Sequence, residues 1–438
     1  MSAHDPYAPQ SGDPTFDVES YELDLSYRVR TNRLEGRAVV NAVAAVPTSS
    51  VALDLIGLRA SRVRVDGDRR TAYAQGPRKL RVVLPRRMEP GERFSIEVTY
   101  AGAPAPRRTR WGTIGFEELE DGALVAAQPI GAPTWFPCND RPDDRARYTI
   151  TVATDAGYTA VATGALVGSA RRGQFEARTF RSDVPTATYL TALHIGRYVS
   201  TTLAGSAGSG GSPVTVVHPP ALRNEVAAAF EPVTHMLRLF ESAFGPYPQD
   251  ACTLVVTPDE LEIPLEAQGM AVFGANHLDP ASERLVAHEL AHQWFGNSVG
   301  VARWQDIWLN EGFACYAEWM WSEASGRQTI QEKAAKHYAR LAGLDQDLVL
   351  ADPGPGLMFD DRVYKRGALT LYALRHRIGE RAFAALLREW ASAGASDSVT
   401  TADFRALAVR LAGADIDVLL TAWLDRPELP PLPRRMRR

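Results

Sequence analysis

Cysteine is scarce in this chain of 438 residues: three occur, Cys138, Cys252 and Cys315, an odd number set far apart. That number and spacing suit reduced thiols better than a disulfide framework, and they exclude a four-thiolate metal cluster. Excess charge is lacking too. A net formal charge of -4 leaves no electrostatic footprint for a polyanion, so nucleic acid is excluded as a partner. No apolar run approaches the length that crosses a bilayer, and the opening MSAHDPYAPQSGDPTFD has neither the basic start nor the apolar stretch of an export signal. The expectation is a cytoplasmic protein with reduced thiols and no membrane partner. No fixed-period repeat is visible. What is present is ordinary globular material, 45% hydrophobic and 23% charged, in a chain long enough for two or three domains.

The texture changes along that chain. Tyr21, Leu23, Leu25, Tyr27 and Val29 alternate with Glu22, Asp24, Ser26 and Arg28, the period of two that a strand with one buried face requires. RAVVNAV, VALDL, RVRVD, LRVVL and FSIEVTY follow as further strands between DGD, GPRK and EPGE turns, and TYLTALHIGRYVS reads as the last strand of an antiparallel β domain over 1–202. The run LAGSAGSGGSP at 203–213 is either a flexible linker or the tip of a long hairpin. Beyond it the patterns lengthen: NEVAAAFEPVTHMLRLFESAF, DPASERLVAHELAHQWFG, NEGFACYAEWMWSEASG, RGALTLYALRHRIG and TADFRALAVRLAG have helical spacing, with strand-like TLVVT and AVFGA before them. The fold class expected is α+β and multidomain, a second, mainly helical domain occupying 203–438.

Chemistry concentrates in RLVAHELAHQWFGN. His288 and His292 are four apart, so on a helix both imidazoles face one point, while Glu289 sits about 100° further round. That offset keeps Glu289 out of direct ligation yet within reach of a water on the metal, the place of a metallopeptidase general base. Asp279 and Pro280 suit the start of this helix, and Gly296 with Asn297 suits its stop. A catalytic zinc takes three protein ligands and keeps a position open for water. Glu311 in WLNEGFACYAEW, nineteen residues after His292, supplies the third, at the head of a second helix for which Asn310 is the expected N-cap. Glu318, two turns on, either hydrogen-bonds a ligand imidazole or is a solvated glutamate.

HExxH followed by the glutamate of WLNEGFA resembles the gluzincin zinc aminopeptidases, the aminopeptidase N and leukotriene epoxide hydrolase family. The resemblance implies a thermolysin-like catalytic domain behind the β domain and one Zn2+, held by His288, His292 and Glu311 with Glu289 as base. QPIGAPTWFPCNDRPDDRARYTITV is similar to the family's stretch that opens on an active-site glutamine, which implies a substrate-binding role for Gln128; Cys138 in the same stretch reads as a buried packing group. VYKRGALTLYALR resembles the block whose tyrosine steadies the oxyanion, here Tyr364. A departure lies in EIPLEAQGMAVFG, where the family carries GxMEN: Ile263, Leu265 and Ala267 stand where Gly, Met and Asn are usual. Glu266 then takes the place of the glutamate that holds a free amine. Glu262 in the run DELE is the competitor, and the distance to the motif helix and the GMAVF strand favour Glu266.

The resemblance spans both halves but not the long C-terminal helical superstructure of larger members, so a compact form with a more open site is expected. The implied activity is hydrolysis of the N-terminal peptide bond of peptides with a free amine. A zinc epoxide hydrolase or an endopeptidase on the same scaffold is the enzymatic alternative, and an inactive peptide-binding relative the alternative of another class. Intact ligands, base and tyrosine oppose the last. Oligomeric state is left open between monomer and small homo-oligomer.

Overall fold

The computed structural model describes residues 4–203 and 213–433. Two compact units form. One comprises Met1–Thr202, Thr215–Arg223 and Gln249–Asn276, the other Leu203–Val214, Asn224–Pro248 and His277–Arg438. The run at 203–213 lies outside the described residues at 204–212, and the strands on either side, Val199–Thr202 and Val214–His218, pair antiparallel.

The first unit is built of sheets. Alternation in Phe16–Arg28 buries Tyr21, Leu23, Leu25 and Tyr27 on one face. This strand lies inside a seven-stranded sheet, antiparallel to Arg33–Ala44 and parallel to Arg145–Asp155, so the sheet is mixed rather than wholly antiparallel. The Tyr21 and Tyr148 rings stack at 5.0 Å beneath the edge of Phe136. Cys138 is buried nearby, its backbone exchanging hydrogen bonds with that of Asp54 at 2.7 and 3.0 Å. Two five-stranded sheets complete the unit with a three-stranded one. The single strand expected over TYLTALHIGRYVS is instead a 3-10 turn, Thr188–Leu190, and two short strands, Leu193–Gly196 and Val199–Thr202, which join different sheets. Gly196 permits the break: a Cβ there would lie 2.4 Å from Cζ of Tyr198, whose ring folds back over the chain.

Helices dominate the second unit. The one helix expected from NEVAAAF to ESAF is split into Arg223–Ala229 and Val233–Phe244, because Pro232 has no N–H to continue the ladder and its ring crowds the preceding turn. A chain of ring contacts, Phe244 to Phe295 at 4.8 Å, Phe295 to Phe313 at 4.6 Å and Phe313 to Phe404 at 5.6 Å, fastens the segment after the motif helix to helices Trp308–Ala324 and Thr401–Ala412. Helices Trp308–Ala324 and Asp361–Ile378 meet at a pair of glycines. A Cβ on Gly312 would stand 2.8 Å from Cα of Gly367, and one on Gly367 2.6 Å from Cα of Gly312. Backbone touches backbone there, which no side chain allows. Buried Arg366 beside this crossing donates to the carbonyl oxygens of Leu348, Trp423, Arg426, Pro427 and Glu428. Among the described residues no helix is long and apolar enough to cross a membrane.

Candidate active site

The motif helix runs from Glu283 to Ala291, behind a 3-10 turn, Pro280–Ser282, whose N–H groups at Ala281 and Ser282 Asp279 caps at 2.7 and 3.2 Å. Its last turn carries the histidines. His292 occupies the C-cap but keeps helical backbone angles and donates its N–H to the His288 carbonyl at 3.2 Å, so the four-residue stacking survives. Gly296, at φ 118°, then turns the chain away.

Opposite stands Glu311, in helix Trp308–Ala324. Asn310 is not its N-cap, as the sequence suggested: the helix begins two residues earlier, where Trp308 is fully buried and its indole donates to Oγ1 of Thr401 at 2.9 Å. Burial of that ring outweighs the capping preference of an asparagine that is itself buried. The Nε2 atoms of His288 and His292 both lie 3.4 Å from Oε2 of Glu311, and the three ligand atoms fall within 4.8 Å of one another. Donors about 2.1 Å from a tetrahedral zinc stand ~3.4 Å apart, so the donor set has the spacing the ion requires.

The far nitrogens are engaged. Nδ1 of His288 meets Oε1 of Glu318 at 2.9 Å, and Nδ1 of His292 meets the Phe295 carbonyl at 3.0 Å. Acceptors there keep a proton on Nδ1 and leave Nε2 as the nitrogen each ring turns towards Glu311. Glu318 is therefore a buried tether, not a solvated glutamate. The electrostatics want a cation. Burial alone would push the His288 imidazole down, but Glu311 and Glu318 outweigh it and lift it to about 9. Burial would likewise raise both carboxylates, yet the histidines hold Glu311 well below its ordinary range, and Lys365 and His288 do the same to Glu318. A proton retained so firmly on His288 marks a place that favours positive charge.

Glu289 follows His288 on the motif helix and is buried. Tyr364 lies in the first turn of helix Asp361–Ile378, which Asp360 caps, and its ring stacks on that of His288 at 6.0 Å and 22°. In the first unit, Gln128 donates through Nε2 to Oε1 of Glu266 at 2.6 Å, and Glu266 belongs to the edge strand Leu265–Ala267; Glu262 sits exposed in the bend before it. Sequence reasoning passed over three contributors. The Phe295 carbonyl has no side-chain signature. Gly312 and Gly367 lie within the NEGFACYAEW and RGALTLYALR motifs, but only the meeting of two helices reveals them as a joint. Lys365 adjoins Tyr364 and drew no reading of its own; it is buried with Nζ 3.3 Å from Sγ of Cys315.

Residues 17–190 match the Peptidase M1 N-terminal domain and residues 228–423 the Peptidase family M1 domain. Endoplasmic reticulum aminopeptidase 1 of Homo sapiens is 28% identical over 408 residues, 83% of this chain and 42% of that protein. Leucyl aminopeptidase of Saccharolobus solfataricus is 24% identical over 442 residues, 94% of this chain and 54% of its own. The chain thus spans about half the length of these relatives. An M1 zinc metallopeptidase from Deinococcus radiodurans superposes with a TM-score of 0.92 at 31% identity, covering 100% of both chains, and a mutant form of it has been solved bound to a Tyr-Ser-Ala substrate. Fold and donor set together are of the kind the M1 zinc metallopeptidases carry, with one group among the described residues of the second unit able to hold a single ion. With both of its domain models matched and a solved relative alike along its whole length, the chain belongs to peptidase family M1.

Proposed function

We propose that this chain is an aminopeptidase that removes the first residue from peptides bearing a free N-terminal amine, and that His288, His292 and Glu311 hold its zinc. The convergence of two imidazoles and one carboxylate, each imidazole braced from behind, carries this reading. Zinc, when bound, supplies Lewis-acid polarisation of the scissile carbonyl and brings the pKa of water towards about 7. Glu289 accepts the proton of the attacking water and passes it to the leaving amine, a base with no ligand duty to compromise it. Tyr364 donates its hydroxyl to the oxyanion, where a neutral donor strengthens as charge develops. Glu266 takes the α-ammonium of the substrate, and Gln128, at 2.6 Å, orients its carboxylate. The tripeptide held by the Deinococcus relative supports short peptides as substrates. Three buried cysteines set far apart along the chain suit a reducing compartment, and we place the protein in the cytoplasm.

The test is a panel of aminoacyl fluorogenic amides with N-acetylated counterparts, run before and after chelation. Free-amine substrates are expected to turn over, acetylated ones not, and activity to vanish with the metal and return with zinc. Parental kcat/KM on free-amine substrates in Glu266→Gln would remove the amine anchor, and full activity after thorough chelation would overturn the whole assignment.

A further inference from the structure

One polar side chain of the first unit has no task in the mechanism above. His194 is fully buried in strand Leu193–Gly196, and neither ring nitrogen meets a hydrogen-bonding group of the described residues. Its neighbours Leu193 and Ile195 enter one apolar core; His194 faces the other way, with Ala192, towards the cluster holding Leu124, Val161 and Val272. A buried imidazole is ordinarily satisfied, because each unmatched donor or acceptor forfeits the bond it made to water. His194 borders a small recess whose walls include Val125, Thr191 and Val272 and whose other side is the hydrogen-bonded pair Gln128 and Glu266. The cavity is about 20 Å³, and roughly 10–15 Å³ measured this way admits one water-sized group.

We propose that His194 is a specificity-determining residue, the inner wall of a hydroxyl-binding subsite that takes the side chain of a serine or threonine at the substrate's N-terminus. The inference rests on the assignment of the amine to Glu266, since a first-residue hydroxyl is carried one carbon beyond the carbon bearing that amine. Burial pushes the imidazole down to about 3, so it is neutral at working pH and offers one donor and one acceptor. A hydroxyl matches either nitrogen whichever carries the proton. A carboxylate would stand against Glu266, a guanidinium or an indole exceeds the space, and a methyl group leaves both nitrogens unmatched.

The zinc-loaded, full-length enzyme is assayed with amides of alanine and of two isosteric pairs, serine against 2-aminobutyrate and threonine against valine. The hydroxyl member of each pair should lead by about tenfold in kcat/KM, the worth of one hydrogen bond. His194→Leu should bring both ratios to about one and leave alanine within about threefold of the parent. Ratios near one in the parent, or ratios untouched by the substitution, overturn the subsite while alanine turnover leaves the aminopeptidase reading standing. No turnover of any of the five sinks that reading and this one with it. Should His194→Leu not fold, the imidazole nitrogen resonances of the parent carry the test: a shift with serinamide but not with 2-aminobutyramide supports the subsite, and no shift overturns it.

Discussion

The bond between His288 and Glu318 gives the sharpest prediction, because it isolates a residue that never touches the metal. Oε1 of Glu318 receives Nδ1 of His288 at 2.9 Å in a buried place, and its other oxygen lies 3.4 Å from the exposed guanidinium of Arg284. Glu318→Gln keeps an acceptor for Nδ1 but removes the charge; Glu318→Leu removes both and frees the ring to turn. Partners of this kind contribute about 10–100-fold to metal affinity, or ~1.4–2.8 kcal/mol at 1.4 per decade. Gln should fall at the lower figure and Leu at the upper, whereas Arg284→Met, which reaches the tether from solvent, should cost less than about threefold. Zinc affinity is read by stripping the ion and returning it against a competing chelator, with thermal unfolding followed alongside. If the leucine variant binds zinc as tightly as the parent, the account of how His288 is oriented is wrong; a loss that tracks unfolding alone would refute it equally.

Other changes test other parts. Glu289→Gln should keep stoichiometric zinc and lose about 10²–10⁴-fold in kcat, and an active variant would remove Glu289 as base. Tyr364→Phe should lower kcat by about 10²–10³ with KM and zinc content little altered; a change in KM alone would point to packing. Gly312→Ala drives a methyl into the backbone at Gly367, so about 1–3 kcal/mol or more of stability should go, and an unshifted melting temperature would show that the crossing yields. Asp140 in the first unit is buried and near Asp54, and the two effects raise it from 3.8 to about 7. The folded state therefore holds that proton more tightly than the unfolded chain. The stabilisation is complete below about pH 4 and is lost as pH rises through 7. Asp140→Asn should raise the melting temperature by several degrees at pH 8 and hardly at pH 4, at ~2–4 °C per kcal/mol; the reverse order would contradict the shift.

Local patterns wrote much of this molecule into its sequence. The period of two in Phe16–Arg28 and the four-residue step from His288 to His292 are each decided within a few residues, so both were legible. What lay hidden depends on a partner far along the chain. Whether Glu318 is tether or surface charge turns on a nitrogen thirty residues away, and whether Asn310 caps a helix turns on where Trp308 finds Thr401. Segment Gln249–Asn276, which carries Glu266, reads with the helical half but packs with the N-terminal strands, because strands Cys252–Thr257 and Met270–Gly274 join a sheet there. Helix Ile330–Ala342 went unread although Thr329 and Glu332 form a complete capping box, a signal that was available.

Arg366 leaves a mark of a different kind. Its guanidinium is answered by peptide oxygens, several of them supplied by the stretch from Trp423 to Glu428, and such oxygens are the same whatever amino acid bears them. Selection is then free to rewrite exposed Arg426 and Glu428, whereas buried Trp423 and Leu424 answer to the core. For protein engineering the warning is practical: a tag or truncation that pulls this stretch away would strand a positive charge in the interior, two positions along from Tyr364, and the damage would surface as lost catalysis far from the edit.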